Sequence, residues 1–121
     1  MNVFDASALL CFLLGEPGSD VVERELKLGG VCSSANWSEV AQKVRAHNRN
    51  WDYASGLLLS FPLAVEPVTK VDGELAARIW SSRSELSLGD RLCLALTQRL
   101  SGTAWTADTA WGTDPPVRQI R

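Results

Sequence analysis

Short apolar runs alternate with longer helical segments along the whole chain, and this alternation limits the folds open to it. Asn2 to Phe4, Val31 to Ser33, Leu63 to Val65, Thr103 to Thr106 and Val117 to Ile120 read as strands. Between them the sequence predicts helices over Ser7 to Leu14, Asp20 to Leu28, Trp37 to His47, Trp51 to Ser60, Lys70 to Trp80 and Leu88 to Leu100. Gly15, Pro17 and Gly18 end the first helix, and Gly29-Gly30 leads into the second strand. Strands alternating with helices predict an α/β fold around a mainly parallel sheet of four to five strands. LGDRLCLALTQRL, Leu88 to Leu100, is apolar around most of its circumference and is therefore expected to pack near the middle of the structure.

The chain has 121 residues, 45% of them hydrophobic, and reads as one globular domain spanning 1–121. Twelve basic and 14 acidic residues leave a net charge of -2, so binding to nucleic acid has to come from a local patch. Cys11, Cys32 and Cys93 lie in apolar sequence without the short spacing of a zinc site, as expected of reduced core thiols in the cytoplasm. The opening segment has no basic flank and its apolar run falls short of the roughly 20 residues that span a bilayer, so no membrane partner is expected.

Within that opening, MNVFDASALLCFLLGEPG, Asp5 is the only charge before Glu16. Three more acids stand out at predicted element ends: Glu39 in SSANWSEV, Asp90 in LSLGDRL and Asp108 in TADTAW. In an open parallel sheet, strand C-termini and the helix N-termini that follow share one edge, where such folds place their ligand crevice. Each acid also has a capping explanation. Asn36 with Glu39 and Ser87 with Asp90 have capping-box spacing, Asp5 and Asp108 suit N-cap positions, and Thr69 with Asp72 repeats the pattern outside the set. Against capping alone stands the company these residues keep, since Asp90 is the sole acid in its apolar helix and Glu39 lies opposite the Trp37, Val40, Ala41, Val44 stripe. Clustered carboxylates repel unless a cation neutralises them, and hard oxygen donors without histidine or thiolate suit Mg²⁺ or Mn²⁺.

FDASALL, NWSEVAQKV, LSLGDRLCLALTQRL and TADTAW, in that order, resemble the PIN domain, and in particular the VapC-type ribonuclease toxins of toxin-antitoxin pairs. The resemblance implies a PIN-like three-layer α/β fold with helices flanking a mainly parallel sheet. It carries the family's acidic set onto Asp5, Glu39, Asp90 and Asp108, as catalytic and metal-binding residues, and it matches Ser7 and Thr106 to hydroxyls that support the site. It further implies Mg²⁺- or Mn²⁺-dependent cleavage of RNA, silencing by a small VapB-type antitoxin, and a homodimer or a toxin-antitoxin hetero-oligomer. A catalytically idle PIN-like module that binds protein or RNA is the alternative, and retention of all four acids favours the enzyme. After Trp111 the match lapses, leaving Asp114 either to share the role of Asp108 or to serve as a turn residue before Pro115.

Lys43, Arg45, Arg49 and Arg91 are candidates for steering phosphates. His47, at a helix end, is expected to be exposed and not a general base. Trp37 and Trp80 fit apolar stripes, while Trp51, Trp105 and Trp111 suit core, RNA-stacking or partner-facing roles equally.

Overall fold

The computed structural model describes residues 1–121. Five strands, β1 (Asn2–Phe4), β2 (Gly30–Ser33), β3 (Leu63–Glu66), β4 (Thr103–Thr106) and β5 (Val117–Gln119), form one sheet in the order β3-β2-β1-β4-β5. Every adjacent pair is parallel. Six helices connect them: α1 (Ala6–Leu14), α2 (Ser19–Leu28), α3 (Ser34–Ala46), α4 (Trp51–Leu59), α5 (Lys70–Ile79) and α6 (Leu88–Arg99). The expected parallel α/β fold is therefore present, with strand and helix ends shifted by a few residues.

The strand pleat sorts the core into two layers. Phe4, Cys32 and Trp105 alternate with Val3, Val31 and Ala104 along register-matched strands, so the two sets face opposite sides of the sheet. The first set packs with Leu9, Val22, Leu26, Val40, Val44 and Leu58, from α1 to α4. The second packs with Cys93 and Leu96 of α6 and with Trp111. Ala76 of α5 meets Leu92 and Ala95 of α6, where the small side chains let the two helices approach closely. Cys11, Cys32 and Cys93 are free and buried, as their apolar surroundings predict.

Chain order runs outward from β1 to β2 and β3, then returns to β4 on the other side of β1 and goes on to β5. The winding reverses between β1 and β4, and at such a reversal the loops leaving the strand ends diverge and open a crevice. Asp5 follows one of these strands and Ala107-Asp108 the other.

Two expectations are corrected. First, Asn36 does not cap α3. The helix begins at Ser34, Ser33 is its N-cap through a bond accepted from the Ala35 N-H (3.2 Å), and Asn36 is an internal, buried residue. Second, Trp80 is not part of an apolar stripe. It is the C-cap of α5, its ψ of 141° turns the chain out of the helix, and it is 59% exposed. Asp72 caps α5 with Thr69 as expected, and it is also clamped by Arg99 of α6, whose Nε and Nη2 donate to its two oxygens at 2.7 and 3.1 Å. Among the tryptophans left open, Trp105 and Trp111 are core residues, and Trp51 is half-buried, edge-to-face with Trp37 at 5.1 Å. Arg118 covers the ring of Trp105, 5.0 Å from its centroid, and the Trp105 indole N-H donates to Asn2 (3.0 Å). These placements remove Trp105 and Trp111 from any RNA-stacking role.

Candidate active site

Asp5 directly follows β1, at the reversal of the winding. It is the N-cap of α1, accepting from the Ala8 N-H (2.8 Å), and it is only 3% exposed. Both of its oxygens are engaged: the Ser7 hydroxyl donates at 2.7 and 2.9 Å, and the Thr106 hydroxyl donates to the second oxygen. Those hydroxyls are themselves held across the switch point. Ser7 Oγ accepts from the Ala107 N-H (2.9 Å), and Thr106 Oγ1 accepts from the Asp108 N-H (3.0 Å). The pair thus ties the ends of β1 and β4 together and holds the carboxylate of Asp5 in one orientation.

Burial pushes the Asp5 carboxyl up to about 6, against the hydrogen bonds from Thr106, Ala8 and Ser7, and the negative charge of Asp90 pushes in the same direction as burial. Asp90 stands in the first turn of α6 and is half-buried. One of its oxygens accepts from the Ser87 N-H (3.0 Å) while the Ser87 hydroxyl accepts from the Asp90 N-H (3.2 Å), so the predicted capping box exists. Glu39 reaches the same helix end from α3: a methyl group placed on Gly89 would lie 2.5 Å from Glu39 Oε1. Burial raises the Cys32 thiol, and the charges of Asp5 and Glu39 act on it together. Asp108 is exposed and caps the short 3₁₀ turn Thr109–Trp111, accepting from the Ala110 N-H (2.9 Å).

Capping does not exhaust Asp5, Asp90 or Asp108, because a cap bond occupies part of a carboxylate and leaves acceptor capacity over. No three of the acidic, histidine or cysteine side chains lie close enough to hold an ion among them. That spacing, with all-oxygen donors, fits a hydrated hard cation that takes one or two carboxylates directly and the rest through water, and it does not fit a closed protein cage.

The remaining candidates separate. Asp114 is exposed in the turn before β5, its carbonyl accepting from the Val117 N-H (3.0 Å), with no bond to the acids. Arg91 is tied to α5, Nη1 donating to the Ala76 carbonyl at 2.9 Å, with Nε buried and unpartnered, so it braces α5 on α6 and is not free to steer phosphate. Arg45 and Arg49 line a separate depression with Asn48 and Trp51. Lys43 does border the site, in a cleft of about 380 Å³ with Ser7, Asp108, His47 and Arg121. Arg121 was not legible as a site residue. It reaches the cleft because its Nη1 is anchored on the Pro17 carbonyl (2.9 Å), a pairing of chain ends that no local pattern reveals. His47 is exposed as expected, with Nδ1 on the Lys43 carbonyl at 2.8 Å.

Among curated protein sequences none matches the chain. The fold is similar to a chain of a toxin-antitoxin complex from Klebsiella pneumoniae, with a TM-score of 0.77 and 18% identity over 100% of this chain and 98% of that one. It is also similar to Mycobacterium tuberculosis VapC20, a Sarcin-Ricin loop cleaving toxin, with a TM-score of 0.72 and 18% identity over 93% of this chain and 95% of that one. The sequence pattern of the PIN domain matches residues 3–112, a span that takes in all four acids and stops short of Asp114. The chain belongs to the PIN domain family.

Proposed function

We propose that this protein is an Mg²⁺- or Mn²⁺-dependent endoribonuclease and the toxin of a VapBC-type pair, acting in the cytoplasm as one domain of residues 1–121. The observation that carries the reading is Asp5, a carboxylate buried at the switch point, oriented through both oxygens and within electrostatic reach of a second acid, Asp90. A buried carboxylate beside a like charge is unfavourable by itself and is retained where a cation is to be held. PIN domains are, as a family, divalent-metal-dependent nucleases.

Asp5 and Asp90 would hold the cation directly, with Glu39 and Asp108 completing its shell through water. When bound, a divalent cation lowers the pKa of an attacking water and neutralises charge on the phosphodiester. Ser7 and Thr106 keep the oxygens of Asp5 fixed, so the site need not reorganise as negative charge develops. Lys43 and Arg121, bordering the cleft beside Asp108, supply the positive charge that an acidic protein otherwise lacks for holding an RNA strand. Water as the nucleophile leaves 5′-phosphate and 3′-hydroxyl ends.

A small antitoxin is the expected partner. An apolar groove of about 250 Å³ between α1, α3 and α4, lined by Leu13, Leu14, Val44, Tyr53 and Leu57, offers it an anchor, and an arginine from it would pair with the acids. The test of the activity is incubation of the purified protein with total cellular RNA and Mg²⁺ or Mn²⁺, followed by end mapping. Cleavage should stop in EDTA, and cleavage unchanged in EDTA would reject the metal mechanism. Binding of RNA without cleavage would instead identify an idle PIN-like module.

A further inference from the structure

Asn36 was expected at a helix cap and is instead sealed inside α3, 1% exposed. Its Nδ2 donates to Glu39 Oε1 at 2.7 Å and to the Gly89 carbonyl at 3.1 Å. One amide therefore ties the acid of α3 to the first turn of α6, the turn that carries Asp90. Both partners are acceptors, which assigns the nitrogen and leaves Oδ1 on the far side of the same planar amide. That oxygen is buried and has no partner. A buried unpartnered acceptor costs roughly 1–3 kcal/mol and is seldom left so.

A second observation concerns the space above the amide. Gly89 has no side chain where Glu39 lies: an added Cβ would stand 2.5 Å from Oε1, 3.0 Å from Cδ and 3.2 Å from Oε2. Gly89 sits inside α6 without a positive φ, so its backbone does not demand glycine. The side chain of Glu39 does.

We propose that Asn36 and Gly89 form a positioning latch for Glu39. Nδ2 of Asn36 fixes one oxygen of Glu39, so the other has a defined direction for a water in the hydration shell of the divalent cation. The latch rests on the proposed metal site and adds two residues to it, neither of them acidic. Partners that orient a metal's ligands in this way are commonly worth 10- to 100-fold in affinity.

The experiment is a Mn²⁺ titration followed by calorimetry, with thermal melting of the same samples in metal-free buffer. Gly89→Ala is the decisive variant, because glycine inside a helix is poorer than alanine by about 1 kcal/mol and the obstructing atoms belong to the end of a flexible side chain. It should melt at or above the wild-type temperature and yet bind Mn²⁺ about tenfold more weakly. Asn36→Ala should weaken Mn²⁺ binding at least as much. In a Glu39→Gln background the further loss from Gly89→Ala should vanish, since an effect transmitted through Glu39 is not additive with its removal. Wild-type Mn²⁺ affinity in Gly89→Ala, or losses that add to that of Glu39→Gln, would overturn the latch while leaving the metal site standing. Wild-type affinity in Glu39→Gln would remove Glu39 from the site, and the latch with it.

Discussion

Replacing Asp5 by asparagine in metal-free buffer isolates the cost of the buried charge. Asparagine keeps an oxygen for the Ala8 N-H, so α1 retains its cap, and it does not titrate. The Asp5 carboxyl is raised from 3.8 to about 6 by burial and, secondarily, by Asp90. Because the folded value lies above the unfolded one, the folded state binds more protons between these limits, and stability rises as pH falls through 6. At pH 7 the ionised group makes the fold poorer by about 3 kcal/mol, and at pH 5 by about 2 kcal/mol. Wild type should therefore gain about 1 kcal/mol relative to Asp5→Asn between pH 7 and pH 5, roughly 4 °C in melting temperature for a chain of this size. The assay is urea unfolding or thermal melting of both proteins across that range in EDTA. Saturating Mg²⁺ should flatten the difference, because a cation that binds the ionised form stabilises it by mass action. Parallel pH curves for the two proteins in EDTA would refute the placement of a strained, buried carboxylate at this position.

Asp90→Asn should abolish RNA cleavage, with an unchanged or higher melting temperature in metal-free buffer and a smaller rise on adding Mg²⁺; destabilisation with cleavage retained would make Asp90 only a cap. Asp72→Asn should leave cleavage intact but cost about 2 kcal/mol by urea unfolding, more than a cap alone, because it breaks a clamp with Arg99. Although burial works against the Asp72 charge, the bonds from Arg99 and Thr69 hold its carboxyl below the ordinary range, so this increment is present at neutral pH and disappears as pH falls through that lowered value. Saturating antitoxin, obtained by co-expression with the neighbouring small reading frame, should suppress cleavage, and Leu57→Glu in the apolar groove should weaken that complex while sparing cleavage; full-rate cleavage in the presence of antitoxin would refute inhibition through the site.

Periodicity and punctuation determined the parallel α/β layering, because a short strand and an amphipathic helix each leave a mark within a window of ten residues. Asp5, Asp90 and Asp108 stood out for the same reason, each at an element end, whereas Glu39 lies beyond the first turn of α3, which begins at Ser34 and not near Trp37. Local sequence was silent on everything made between distant segments. Thr106 meets Ser7 across 99 positions and Asp5 across 101, and Arg91 is drawn to α5 because the Ala76 carbonyl lies within its reach. Asn36 shows the limit most plainly. Its spacing from Glu39 matched a helix cap, but Ser33 took that role, and the Asn36 amide turned inward to the only acceptors that burial left it, Glu39 and the backbone of Gly89. A spacing of three residues specifies that two side chains can meet; only the packing of α3 against α6 decided that they would meet beside Gly89, in the turn that carries Asp90.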